Sequence, residues 1–416
     1  MPLGFSRSIF SKQPADGAYT PPNYADSDWR TFATTFSSRA EPSDPFGISR
    51  DHTLFNCGYD SYWYVYAGTE SGNDHYIYKF TRSGNSISYT NKTQISDSAG
   101  DLPFNVGFTF ISALSLRDNN AALVVNGSNY VMLSSDASGN LTVENDGTIT
   151  NGRQYGQQCL NPDDNTQHVV CDESGNFTFC TINYGTYTLT QDSTGSTGKS
   201  ATDGQAFIID DNGTARFAYA FYSNTDSKWA VYACDFDGSN GAVTLLNSTP
   251  SGLNTDGWKR VEDKVSNGVV YTMENNGTTG TAFSIYWDYS TFNQGADFTY
   301  TPGFPTGTNN IRTTGPSHFL QQDNDYMFFG THIHDAVNSA GGTPRTDETC
   351  VFQVAKSDGT ITQKGSMMQK TDVASTAGNV RLGTVVSNDE SFYVASGDSD
   401  GSGISDGVPE LILVYT

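Results

Sequence analysis

Apolar residues along this chain fall in short runs, each bounded by clusters of Gly, Asn and Asp. Tyr62-Trp-Tyr-Val-Tyr66, Ala121-Ala-Leu-Val-Val125 and Tyr326-Met-Phe-Phe329 are of this kind. β-Branched and aromatic residues in such runs suit a pleated surface, and Leu-rich 3.6-residue periodicity is almost absent. The pattern predicts an all-β protein without long helices.

The runs recur as a unit. Turns between the first and second strand of each unit fall at Tyr59-Asp60, Asp118-Asn119, Asp163-Asp164, Asp211-Asn212, Ser266-Asn267, Asp323-Asn324 and Ser387-Asn388. Their separations of about 45 to 65 residues lie in the range for propeller blades. The expected fold is a seven-bladed β-propeller, with blades over residues 51–96, 108–149, 155–193, 203–249, 257–302, 313–367 and 376–416. The last unit has three strands, over residues 379–386, 391–396 and 410–416, and no fourth. Residues 29–36 read as a spare strand, expected to pair outside the last blade, close the ring and remove an exposed edge. Residues 1–28 fit no blade and are left as an extended N-terminal arm. A pair of β-sandwiches or a β-helix is the alternative, and the spacing favours the propeller. Hairpins at Gly139-Asn140, Asp237-Gly238 and Asp358-Gly359 carry the chemistry of primed turns.

No known repeat signature recurs. Trp-Asp occurs once, at Trp287-Asp288, and the kelch-type Gly-Gly once, at Gly341-Gly342. The nearest approach to a sialidase-type Asp-box, Ser223-Asn-Thr-Asp-Ser-Lys-Trp229, lacks its Gly.

With 45 acidic and 22 basic residues the formal charge is −23, which opposes binding to nucleic-acid backbones and anionic lipid surfaces. No apolar run approaches the 18 or so residues of a membrane span. The opening twelve residues lack the apolar core of a secretory signal, so export through one is not expected. Cys57, Cys159, Cys171, Cys180, Cys234 and Cys350 lack zinc-ligand spacing and read as buried thiols. Cys159, Cys171 and Cys180 fall on three neighbouring strands of one blade, where one disulfide is the alternative.

Two stretches carry metal-ligand chemistry. Asp398, Asp400, Ser402 and Asp406 occupy positions 1, 3, 5 and 9 of a loop with Gly403 at 6, a spacing that can wrap a hard cation. That loop resembles the calcium loop of FG-GAP repeats in integrin-type propellers, with Ser402 where Asp is usual. The resemblance implies a structural Ca²⁺, and a solvated acidic turn is the competing reading. His332, His334 and Asp335 end the second strand of the sixth unit and can ligate a transition metal, or the imidazoles can pack between blades. The long loops after these strands, with that of residues 67–74, open on one face and suit recognition. No His-Glu-x-x-His, P-loop or dinucleotide fingerprint is present, so a non-enzymatic role is expected with no certain cofactor beyond a candidate Ca²⁺.

The arm is cationic and aromatic in a strongly acidic chain. Leu3, Phe5, Ile9 and Phe10 are its apolar anchors, Arg7 and Lys12 its charges, and no acid precedes Asp16. Pro14, Pro21 and Pro22 then suit an extended tether. Met1-Pro-Leu-Gly-Phe-Ser-Arg-Ser-Ile-Phe10, followed by a Gly-, Asn-, Ser- and Thr-rich all-β body, resembles virion structural proteins of tailed, particularly marine, bacteriophages. The resemblance implies a protein made in the host cytoplasm and found in the virion. Its arm would dock on a capsid, portal, tail or fibre protein, and a propeller loop face would meet another virion protein or a host surface glycan. The alternatives are a glycan-binding or glycan-cleaving propeller, of lectin or glycosidase type, and an exported Ca²⁺-dependent adhesion module.

Overall fold

The computed structural model describes residues 38–40, 53–59, 61–69, 75–83, 86–96, 111–116, 120–126, 128–151, 157–172, 174–246, 269–273, 280–300, 311–313, 318–322, 326–335, 345–371, 379–387, 391–399 and 410–415. Every element among them is a β-strand. No helix long and apolar enough to cross a membrane occurs among the described residues.

The opening strand, β1 (Ser38–Ala40), belongs to the last sheet. The first sheet is β2 (Thr53–Phe55), β3 (Tyr62–Thr69), β4 (His75–Ser83) and β5 (Ser86–Ser96). The second is β6 (Ile111–Leu116), β7 (Ala121–Asn126), β8 (Asn129–Ser135) and β9 (Leu141–Thr148). The third is β10 (Gln157–Leu160), β11 (Gln167–Cys171), β12 (Asn176–Asn183) and β13 (Thr188–Ser196). The fourth is β14 (Ala201–Asp211), β15 (Thr214–Ser223), β16 (Lys228–Cys234) and β17 (Ala242–Leu245). In the fifth, β18 (Val269–Met273) pairs with β19 (Gly280–Trp287), which also pairs with β20 (Phe292–Gln294) and β21 (Phe298–Tyr300). In the sixth, β22 (Ile311–Thr313) and β23 (His318–Gln322) pair with β24 (Tyr326–Asp335), followed by β25 (Arg345–Ala355) and β26 (Ile361–Thr371). The seventh has the order β1, β29 (Glu410–Tyr415), β28 (Ser391–Ser399), β27 (Asn379–Ser387).

Every pairing is antiparallel, the first four sheets are four-stranded meanders, and consecutive sheets touching face to face make a β-propeller. First strands lie against one another, β2 on β6, β6 on β10 and β10 on β14. The seventh sheet touches both its neighbours, through β24 with β27 and β2 with β27. β1 pairs Ser38 with Leu413 and Ala40 with Leu411, and lies beside β5. Residues 29–36, expected in the closing role, and the arm 1–28 lie outside the described residues.

Neighbouring sheets cover both faces of the inner strands, which is why those strands read as unbroken apolar runs. β11 and β16 are buried along nearly their whole length, whereas the outer strand β13 is mostly exposed. Three apolar clusters fill the first three seams. In the third seam the Phe177 ring lies 5.1–5.2 Å from those of Phe217, Tyr219 and Tyr232. Between the fourth and fifth sheets Trp229 packs edge-on to Phe283 at 5.2 Å. Cys57, Cys159, Cys171, Cys180 and Cys234 are buried thiols. Cys159 and Cys171 belong to the seam with the fourth sheet and Cys180 to the seam with the second.

Candidate functional site

The best-defined polar chemistry lies in the hairpins that join third and fourth strands. In the second sheet, Asp136 accepts hydrogen bonds at Oδ1 from the N–H groups of Ser138 (2.8 Å) and Asn140 (2.9 Å). Its Oδ2 accepts from Asn140 Nδ2 at 2.9 Å. The N–H of Gly139 donates to the Asp136 carbonyl at 2.9 Å, with Gly139 in the left-handed region at φ 72°. Gly238 (φ 86°) in the fourth sheet and Gly359 (φ 71°) in the sixth hold the equivalent place. The primed turns expected at these steps need positive φ at the first central residue. Each instead turns first and then takes one left-handed glycine, a turn-plus-bulge geometry.

These glycines sit where a side chain will not fit. A Cβ on Gly139 would fall inside the Tyr62 ring, one on Gly238 would lie 2.8 Å from the Phe179 ring, and one on Gly359 would lie 2.6 Å from Tyr286. Each hairpin therefore seats on the preceding sheet, where polar groups lock it. The Tyr64 hydroxyl donates to the Gly139 carbonyl at 2.9 Å, and buried Lys79 reaches the Ser138 carbonyl at 2.5 Å with its ammonium 4.6 Å from the centre of the Tyr62 ring. Burial lowers the Lys79 pKa, partly offset by the charge of Asp136. Ser284 Oγ donates to the Gly359 carbonyl at 2.6 Å. First-to-second turns also reach across seams, since Asp163 Oδ2 accepts from the Ala215 N–H at 2.6 Å.

The corresponding hairpins of the third and fifth sheets lack that left-handed glycine. In the third and fifth sheets the left-handed residues are Tyr187 (φ 52°) and Tyr289 (φ 68°). Tyr187 packs against the seam with the second sheet. Tyr289 is 48 % exposed and, with Leu245, makes up the exposed large apolar side chains among the described residues. Beneath it Asp288 Oδ1 accepts from the N–H groups of Ser290 (2.9 Å) and Thr291 (2.8 Å) and from Ser290 Oγ (2.7 Å), and Oδ2 from Asn293 Nδ2 (2.9 Å). Those bonds, the Ser290 hydroxyl first, hold the carboxyl at about 2.

The remaining titratable groups serve packing. Burial pushes the thiols of Cys180 and Cys234 to about 12 and that of Cys57 upward, and the Tyr64 phenol rises for the same reason. His168 is fully buried and burial lowers its pKa to about 3. Its Nε2 lies 3.1 Å from Gln158 Oε1, whose Nε2 donates across the seam to the Leu123 carbonyl at 3.4 Å, and its Nδ1 has no partner among the described residues. Arg216 bridges Asp235 (2.9 Å) and Asp211 (3.4 Å). Among the described residues no three His, Cys, Asp or Glu side chains are grouped to hold a metal ion.

Leu3, Phe5, Arg7, Ile9, Phe10 and Lys12 lie outside the described residues, as do Asp400, Ser402 and Asp406. Asp398 is in β28, opposite Val380 of β27. His332, His334 and Asp335 end β24, opposite Thr349, Asp347 and Ile311 in that order. The spacing Gly-x-Ser-x-Gly occurs at residues 397–401 and again at 403–407. Ser399 ends β28, and residues 400–409, with the second of these stretches, lie outside the described residues. Sequence reasoning passed over Lys79, His168 and Tyr289. Glycines one or three residues after an Asp were the available signal for the hairpins.

No protein family matches the sequence, and no curated protein does. Among solved structures, the chain is similar to the S. cerevisiae core factor at 10 % identity and TM-score 0.44, covering 89 % of this chain and 58 % of that one. It is similar to the WD40 domain of SCAP from fission yeast at 8 % identity and TM-score 0.42, covering 90 % and 87 %. The Dos1 propeller gives 11 % identity and TM-score 0.42, covering 91 % of each chain. Likenesses at this level say nothing of what the chain binds or does.

Proposed function

We propose that this protein is a non-enzymatic binding propeller, a structural or accessory component of a virus particle that docks through its N-terminal arm. The seven sheets would act as one closed ring, presenting a loop face to another virion protein or to the host surface. The observation that carries the reading is the seat of β1. It pairs on the outer side of β29 and beside β5, so Ser38 sits at the rim of the fold. A cationic, aromatic segment leaving the rim of a chain of charge −23 is suited to a partner's surface. The committed roles of the described polar groups support a scaffold: carboxylates cap their own turns and thiols are buried.

The test is deletion of residues 1–28. The truncated chain is expected to fold with unchanged thermal stability and to lose incorporation into purified particles or partner complexes. Unchanged incorporation would reduce the arm to a tail, and turnover of a glycan by the full chain would move the protein to the enzyme class.

A further inference from the structure

One polar thread crosses the apolar cluster between the second and third sheets. His168 of β11 lies opposite Leu160 of β10 and Cys180 of β12, both members of that cluster, so the imidazole faces the second sheet. It is fully buried. Its Nε2 lies 3.1 Å from Gln158 Oε1, and Gln158 Nε2 donates to the Leu123 carbonyl of β7 at 3.4 Å. That second bond orients the amide with Oε1 as acceptor, so the ring nitrogen that meets it carries the hydrogen. Nδ1 is then the bare nitrogen, and it has no partner among the described residues. The neutral ring fits the seam. A proton on Nδ1 would bury a charge and an N–H without an acceptor.

The seam also lacks a counter-charge. β6 and β7 bring Leu116, Ala121, Leu123 and Val125 to the cluster, and its titratable members are Cys180 on β12 and Tyr130 on β8, with Tyr184 and Tyr187 packed against it. Burial pushes Cys180 and Tyr130 up, so neither is an anion in acid. Asp192 acts on Cys180 and Asp146 on Tyr130, whereas burial alone acts on His168.

We propose that this seam is an acid-operated joint: the second and third sheets part there and expose His168 to protons, while the seams on either side stay closed. The first-to-second seam is held by the Lys79 and Tyr64 bonds and the third-to-fourth by the rings around Phe177, and neither holds a histidine among the described side chains. An exposed imidazole takes its proton near pH 6.5 and the seated one only near 3. The opening constant therefore rises about tenfold for each pH unit lost between those values.

Each seam carries its own buried thiol: Cys57 in the first, Cys180 in the second and Cys234 in the third. Labelling with a dipyridyl disulfide, which reacts with thiols in acid, followed by peptide mass mapping, reads all three in the full chain. From pH 6.5 to 4.5 the rate at Cys180, relative to Cys57 and Cys234, is expected to rise about 100-fold. His168→Gln, whose side chain does not titrate, should remove that rise. Three thiols that become reactive together would mean that acid unfolds the whole chain, which overturns the joint. A ratio independent of pH, or a rise that persists in His168→Gln, overturns it too. The wild-type ratios decide the matter even where His168→Gln fails to fold.

Discussion

The hairpins of the fourth and fifth sheets, Asp235-Phe-Asp-Gly-Ser-Asn240 and Asp288-Tyr-Ser-Thr-Phe-Asn293, share an opening Asp, an aromatic after it and a closing Asn, yet they do opposite things. In the fourth, Gly238 takes the left-handed position and Phe236 turns inward, 4 % exposed, with its ring 6.4 Å from Phe217. In the fifth there is no glycine to take it, Tyr289 does so itself, and its ring stands in solvent at 48 % exposure. Positive φ at the aromatic does not by itself expose it, since Tyr187 is also left-handed and packs into a seam; at Tyr289 the ring stands outside, a handle where that of Phe236 is glue. Both turns keep the aspartate that closes them, so turn closure and side-chain direction are set by separate residues.

The sharpest way to break the contrast is to substitute both left-handed residues. Gly238→Val forces a branched side chain into positive φ and into the Phe179 ring, and should lower unfolding free energy by about 3 kcal/mol. Tyr289→Gly should raise it by about 1 kcal/mol, because glycine carries no penalty at that φ. Denaturant titration of the two variants measures both signs, and equal losses would show that the handle is packed like the glue.

The second contrast is between seams. The first-to-second seam is locked by a glycine hairpin, and the second-to-third carries the buried His168–Gln158 pair. The unfolded histidine titrates near 6.5 and the folded one near 3, so protons bind the unfolded state first and stability falls as pH drops below 6.5. On the paired strands β10 and β12, Gln158 is hydrogen-bonded to it and Cys180 lies opposite it, with burial the sole cause of the shift. Between pH 6.5 and 4.5 this amounts to about 2.5 kcal/mol. His168→Gln should flatten that part of the stability–pH curve, and an unchanged slope would assign the acid sensitivity elsewhere.

The smallest effect is expected at the locked seam. Tyr64→Phe removes the hydroxyl bonded to the Gly139 carbonyl and should lower stability by about 1 kcal/mol, read from the same titrations. A loss as large as that of Gly238→Val would mean that the hydroxyl, and not the glycine contact, fixes the hairpin.

Much of the architecture was legible in the sequence because repetition and turn chemistry are local. The turns at Tyr59, Asp163-Asp164 and Asp211-Asn212 join first and second strands as read, and Gly139, Gly238 and Gly359 mark hairpins. The hand of those hairpins was misread. Primed turns suit an isolated pair of strands, whereas here the glycine is placed by a ring on the preceding sheet, a contact between residues such as Phe179 and Gly238 that no local pattern records. His168 and Lys79 sit inside ordinary strand sequences, and only the neighbouring sheet makes one buried without charge and the other a clamp. Tyr289 was hidden for a related reason: Tyr187 shares its left-handed backbone yet packs into a seam, so neither the residue nor its φ announces the exposure.

The pairing of β1 on β29 has a mechanical consequence. Only three residue pairs, Ser38 to Ala40 on Leu411 to Leu413, join the start of the described chain to its last sheet. Tension applied to the preceding segment is carried first by those pairs at the perimeter and reaches the inner strands only after they part. Load on that segment would therefore be shed by peeling one short strand, a mechanical fuse that leaves the remaining sheets assembled.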